Sequence, residues 1–130
     1  MRELQELVRI AKTKPCLVQT NSEPFKPSQD IQAFCTRHGI QFESYSTLGG
    51  QYMSQGKDKS PVLTHPTIVR LAEKHRRHPS QIILRWALQH GSTVIPRSKD
   101  ALHQAQNVQV FDFDLTDQDL LSIDSLSQHT

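Results

Sequence analysis

The stretch Val94-Ile95-Pro96-Arg97-Ser98-Lys99-Asp100-Ala101-Leu102-His103-Gln104-Ala105-Gln106-Asn107 carries a change of structure and a cluster of charge. Val94 and Ile95, β-branched and in a short apolar run, predict the end of a buried strand. Pro96 has no amide to donate to a ladder and stops it. Asp100 is placed to cap a helix running from Ala101 to about Asn107. Arg97, Ser98 and Lys99 therefore fall where a strand's carboxyl end meets a helix's amino end. Unpaired amides and the positive end of the helix dipole favour an anion there, a phosphate above all. A solvated basic turn explains the same residues on chemistry alone.

Working outward, the chain of 130 residues fits one domain over residues 1–130. A hydrophobic fraction of 35% and a mean hydropathy of −0.55 predict a modest core. The net charge of +2 argues against nucleic acid as the main partner, although the sequence pI is about 8.7. Cys16 and Cys35 form no C-x-x-C motif. They fit two buried, inert thiols in a reducing compartment. No apolar run approaches the ~20 residues that cross a bilayer, and no signal-type segment opens the sequence. The expectation is a cytoplasmic protein with no membrane partner.

Helix and strand patterns alternate along the chain. Leu4, Leu7, Val8 and Ala11 have the spacing of an amphipathic helix over Arg2 to Lys12. Cys16 to Thr20 reads as a strand, and Ser28 as the cap of a helix that carries Ile31, Phe34 and Cys35 and ends at Gly39. Ile40 to Ser46 reads as a second strand. Thr47 to Thr64, rich in Gly, Ser, Gln and Lys, reads as a long mobile loop. Pro66 opens a helix bearing Ile68, Leu71 and Ala72, and another runs from about Pro79 through Ile82, Ile83, Trp86 and Ala87 to Gly91. Ser92 to Pro96 is the third strand, Val108 to Phe113 looks extended, and Thr116 with Asp119 forms a capping box. Three strands each followed by helix predict a parallel sheet, and its carboxyl ends should gather the ligand-binding residues.

Several motifs go further. Gly39-Ile40 with Ser46-Thr47-Leu48-Gly49 resembles the G-I-x-x-x-A-Y-S-P-L-G segment of aldo-keto reductases. Pro79 to Trp86 is similar to their P-A-Q-V-x-L-R-W helix, and Val94 to Ser98 to V-I-P-K-S. Asn107 falls where an E-N pair ends, and Val110 to Thr116 resembles F-D-F-x-L-[ST]. The resemblance runs from about Leu4 to Leu126. It implies an α/β fold that is part of a TIM (β/α)₈ barrel, here three parallel strands with flanking helices, and NADP(H) as cofactor without a Rossmann motif. It also implies cofactor contacts. Tyr45 would stack on the nicotinamide and Gln19 would bond its carboxamide. Ser46 and Leu48 would lie along the pyrophosphate, Arg97 and Ser98 would take the 2′-phosphate, and Asn107 would contact the adenine. His103 stands where the family often has an arginine on the adenine.

The departures are equally specific. Arg97 replaces the usual lysine and gains a fork suited to phosphate. Glu43 puts an acid on what should be a buried strand, Thr47 replaces a proline, and His78 stands where a Ser or Thr caps the Trp86 helix, so that cap should be lost. By the family's order the chain starts before strand six, so the Asp-Tyr-Lys-His tetrad would be absent and no catalytic residue is assigned. Tyr45 and Tyr52 are not substitutes: one matches the stacking position and the other falls in the loop. The seven histidines are scattered, and no metal site is expected. His75 and His78 read as a solvated helix end. Two readings follow: the cofactor-binding part of an NADP(H)-dependent oxidoreductase, or a non-catalytic half-barrel that binds nucleotide or a protein. The partner in either case could be a complementary half-barrel or a second copy.

Overall fold

A computed structural model of the chain describes residues 1–56 and 59–128. Helix α1 (Arg2–Ile10) leads into strand β1 (Leu17–Asn21), helix α2 (Gln29–Arg37) and strand β2 (Gln41–Tyr45). A short helix α3 (Gly50–Ser54) precedes α4 (Pro66–His75) and α5 (Pro79–Gln89). Strand β3 (Thr93–Val94), α6 (Ala101–Val108) and α7 (Asp117–Asp124) follow, and a 3₁₀ turn spans Ser125–Gln128. The sheet has the order β1-β2-β3 and is parallel throughout, with Val18 opposite Phe42 and Ser44 opposite Val94. Parallel neighbours need long crossovers, and α2 and the α3–α5 segment supply them. The result is a sector of a (β/α)₈ barrel.

Alternation along the strands divides the sheet into two faces. Phe42 and Ser44 are buried, whereas Gln41 and Tyr45 are exposed. Phe42 joins Phe34, Cys35 and Ile40 in a small core, against which Leu4 and Val8 of α1 pack. The larger core lies among the helices, around Ile68, Ile82, Ile83, Trp86, Leu115 and Ile123. Each fully buried isoleucine there contributes about 1.5–3 kcal/mol. Trp86 adds a directional tie, donating its indole N–H to Asp124 at 2.7 Å.

Among the described residues, the other sheet face has no helix packed on it. It presents Leu17, Gln19 and Asn21, then Gln41, Glu43 and Tyr45, then Thr93. Glu43 therefore lies on the open side of the strand, half-buried, and not among the helix-facing residues. Its carboxylate accepts from Gln19 Nε2 at 2.7 Å and from Thr93 Oγ1 at 3.1 Å. A row of polar groups thus crosses all three strands.

Several expectations need correction. The third strand pairs only at Thr93 and Val94, not from Ser92 to Pro96, because β2 ends at Tyr45 and Ser46 turns away at φ 52°. The stretch from Thr47 is not simply a loop. It contains α3, and Val62 is anchored in the main core with no exposure. Val108 belongs to α6, and residues 109–113 form no strand. Their carbonyls are taken by α5 side chains instead: Gln81 Nε2 donates to Gln109 at 2.9 Å and Arg85 Nη1 to Val110 at 3.1 Å. Ser28 precedes α2 but caps none of its amides; its hydroxyl donates to Asn21 O at 2.8 Å. Cys16 is exposed, while Cys35 is buried.

Of the two histidines flanking Arg76-Arg77, His78 is exposed, as a solvated end requires, whereas His75 is half-buried and paired. Arg76 adopts φ 52° and closes α4. His78 then caps α5 after all: its Nδ1 accepts from Ser80 N at 3.4 Å, and Gln81 Oε1 accepts from His78 N at 2.8 Å. A neutral imidazole nitrogen can accept as a serine oxygen does. His75 Nε2 lies 2.7 Å from Asp119 Oδ2, and Lys74 Nζ lies 2.7 Å from Asp119 Oδ1. Asp119 also completes the expected capping box with Thr116. Burial alone would raise the Asp119 pKa. The bonds from Lys74, His75 and Thr116 overcome it and hold the carboxyl well below the usual carboxylate range.

Two outcomes follow from these contacts. Asp119→Asn should cost about 2–3 kcal/mol in urea unfolding near neutral pH, from a lost charged hydrogen bond and a weakened cap. Because the folded carboxyl titrates lower than the unfolded one, that stabilisation is present above roughly pH 4 and fades as pH falls further, so parent and variant should converge in acid. Burial, and then the nearby His103, lower the His78 pKa. The unfolded chain therefore binds a proton that the folded chain resists. His78→Ser should gain stability relative to the parent as pH falls through about 6.5, read from the same unfolding curves.

Candidate nucleotide cleft

The carboxyl ends of β2 and β3 open onto a cleft of about 790 Å³. One wall is Ser46, Thr47 and Leu48 with Gly50, Gln51 and Met53 of α3; the other is Ile95 through Lys99. Parallel α/β sheets bind ligands at this end, where the loops after successive strands meet.

A knot of hydroxyls sets the spacing of the walls. Ser44 Oγ and Thr47 Oγ1 are 2.9 Å apart, and Ser92 Oγ donates to Ser44 Oγ at 3.2 Å. All three residues are buried. Thr47, at the position where the family has a proline, thus finds a specific use. Gly49 continues the first wall at φ 76°, a conformation that glycine adopts without strain. A Cβ there would lie 2.2 Å from Ser60 Oγ and 3.1 Å from Val62 Cγ2.

The second wall carries the charge. Arg97 and Lys99 are exposed, and neither is paired with a carboxylate among the described residues. Asp100 caps α6 as expected, accepting from His103 N at 2.9 Å. Ser98 Oγ accepts from Asp100 N at 3.0 Å. Part of the helix's donor capacity is therefore already used by its own cap. The anion-binding strength of this wall rests on the two side-chain cations more than on α6.

Ser46, Leu48, Arg97 and Ser98, all expected at the cofactor, line this one cleft. Asn107 lines a smaller adjoining hollow of about 360 Å³ with Val94, Gln104 and Phe111, and Pro96 is common to both. His103 sits on α6 beside its cap, 3.9 Å from Asp100, with its ring 6.1 Å from that of His78. Gln19 and Tyr45 lie on the open sheet face, outside the cleft lining. The Gln19 amide nitrogen is held by Glu43, and Tyr45 is 43% exposed. Lys99 and the α3 residues Gly50, Gln51, Met53 and Ser54 also line the cleft, and of these only Lys99 had a signal in the sequence, as part of the basic turn.

The donor set suits a dinucleotide phosphate. Two cations, Arg97 and Lys99, and the hydroxyls of Ser46, Thr47, Ser54 and Ser98 line the walls together with the apolar Leu48, Ile95 and Met53. Arg97 and Ser98 would hold a 2′-phosphate, and Ser46 would face the pyrophosphate. Among the described residues no group of three or more metal-ligating side chains exists, and no helix is long and apolar enough to cross a membrane.

The site is thus an open cleft with two exposed cations at the carboxyl ends of a parallel sheet, on a sector of a (β/α)₈ barrel. The aldo/keto reductase family model matches residues 1–128, and the chain belongs to that family. It is 33% identical to aldo-keto reductase family 1 member A1 of Cricetulus griseus over 98% of this chain and 40% of that protein. It is 35% identical to a probable NAD(P)H-dependent D-xylose reductase of Emericella nidulans, covering 96% of this chain and 41% of the relative. Among solved structures, a substituted Gox0644 in complex with NADPH superposes with a TM-score of 0.82 at 30% identity, over 96% of this chain and 43% of that one. The chain thus spans about 40% of the length of the curated relatives it matches.

The cleft's geometry makes one substitution diagnostic. Gly49→Ala should destabilise the fold by about 1–3 kcal/mol, through left-handed strain and the clash with Ser60. Adding Ser60→Ala should return part of that loss in a thermal or urea melt.

Proposed function

We propose that these residues form the NADP(H)-binding portion of an aldo-keto reductase-type oxidoreductase. The observation that carries the reading is the convergence of Ser46, Leu48, Arg97 and Ser98 on one cleft, with Asn107 in the adjoining hollow. Family membership and the NADPH complex of a relative support it. Bound there, NADPH supplies a hydride for reduction of a carbonyl. Arg97 neutralises the adenosine 2′-phosphate with a bidentate fork, which selects NADP(H) over NAD(H). Ser98 shares the 2′-phosphate with Arg97, Ser46 and Leu48 lie along the pyrophosphate, and Tyr45 and Gln19 receive the nicotinamide at the open face.

Reduction of a carbonyl also needs a positioned acid, worth ~10²–10⁴-fold. Tyr52 donates to Glu23 and lines no cleft wall. Asp119, Lys74 and His75 supply three residue types of the family's tetrad. They are nevertheless locked between α4 and α7 with Phe113 against His75, remote from the cleft lining. These residues therefore bind the dinucleotide without reducing a carbonyl unaided. The acid comes from a complementary half-barrel or another protein surface in a cytoplasmic, reducing setting where Cys16 and Cys35 stay unpaired. The alternative, a non-catalytic half-barrel acting through its surface, is favoured by one observation: the sheet face that a closed barrel fills is open here, with Leu17, Tyr45 and Ile95 each more than 40% exposed.

Titration with NADPH, followed by nicotinamide fluorescence, tests both. Saturable binding is expected, about tenfold or more weaker in Arg97→Ala, with no aldehyde-dependent oxidation of NADPH by the 130-residue chain. Absence of binding by folded protein refutes the cofactor reading. Turnover with a generic aldehyde refutes the assignment of the acid elsewhere.

A further inference from the structure

Glu23 is a carboxylate with no exposure, in the turn between β1 and α2, and neither the cleft nor the core explains it. A buried carboxylate persists only where donors compensate it. Here Phe25 N donates to Oε2 at 2.8 Å and Tyr52 Oη to Oε1 at 3.0 Å. The turn that carries it is tight, with Glu23 and Lys26 bridged through their backbones. Phe25, in the same turn, meets Tyr52 edge-on at 6.5 Å and His65 at 5.6 Å. His65 in turn caps α4.

Tyr52 belongs to α3, a five-residue helix with no buried residue. Too short to be stable by itself, α3 nevertheless provides Gly50, Gln51, Met53 and Ser54 to the cleft wall. Tyr52 is the α3 side chain packed against the main core. Burial and the hydrogen bond to Glu23 push the Tyr52 pKa up to about 12, so the phenol keeps the proton it donates.

We propose that Glu23 and Tyr52 are positioning residues that latch α3 in place as the pyrophosphate-side wall of the cleft, without touching the nucleotide themselves. This rests on the dinucleotide reading above. Its mark is selectivity along the ligand. The 2′-phosphate faces Arg97 and Ser98 on the opposite wall, so a fragment lacking the pyrophosphate bridge gains nothing from the latch.

Tyr52→Phe and Glu23→Gln are to be titrated with NADPH and with 2′-AMP, and amide hydrogen exchange read across residues 50–54. Tyr52→Phe should weaken NADPH about tenfold, leave 2′-AMP unchanged and speed exchange across α3. Glu23→Gln, which keeps an acceptor oxygen, should fall between it and the parent. Should Tyr52→Phe not fold, Glu23→Gln decides alone on the same readouts. Unchanged NADPH affinity, unchanged exchange in α3, or equal losses for both ligands overturns the latch. A folded parent that binds neither ligand overturns the dinucleotide reading itself, and the latch's binding role with it.

Discussion

Ser44 is the point on which the cleft depends. It faces away from the open sheet side, 1% exposed, and its hydroxyl meets Thr47 at 2.9 Å and Ser92 at 3.2 Å. Thr47 stands in one wall, and Ser92 immediately precedes β3, which leads into the other. With only Thr93 and Val94 paired to β2, the ladder alone would be a weak hinge between them. A hydroxyl network in a site of low dielectric is stiff when satisfied and costly when broken. The distance between Ser46 and Arg97 is therefore set by three small polar side chains and not by strand length.

A similar substitution of side chain for backbone holds the last third of the chain. Gln89 exchanges two bonds with Leu115, donating to its carbonyl at 3.0 Å and accepting from its amide at 2.8 Å. This is the pattern one strand residue makes with another. With Gln81 and Arg85 it forms a polar stripe along α5 that fastens residues 106–115 while Ile82, Ile83 and Trp86 fill the core on the opposite side. The helix is thus amphipathic in an unusual sense, because its polar flank holds the fold together no less than its apolar one.

Much of this was legible in the sequence. The three βα units, the stop at Gly91, the Asp100 cap and the Thr116–Asp119 box follow from rules that act within a few residues. So does the meeting of Ser46 with Arg97 and Ser98, once parallel strands place their carboxyl ends together. Leu48 came only through the family resemblance, and Gln19, Asn21 and Tyr45, expected at the same end, line no part of the cleft. What escaped depends on distant partners. An imidazole is not a usual cap, so His78 reads as a loss until Ser80 and Gln81 are placed around it. Polar composition hid α3, whose anchor is Tyr52 against a turn 29 residues away. Glu23 gave no signal because an isolated acid beside proline reads as surface. Glu43 read as a misplaced charge because the sequence does not say which side of the sheet is covered.

Whatever closes over the open side of the sheet must accommodate Glu43. A (β/α)₈ interior is packed with interlocking side chains, yet here a carboxylate held by Gln19 and Thr93 stands in its middle. An oily surface laid across the strands would strip water from Glu43 with only two donors to compensate, at a cost of several kcal/mol. A well-matched cover must bring a cation or a third donor to that spot, or leave a pocket of solvent over it. The row across the strands thus acts as a lock that accepts a polar key and rejects a greasy one.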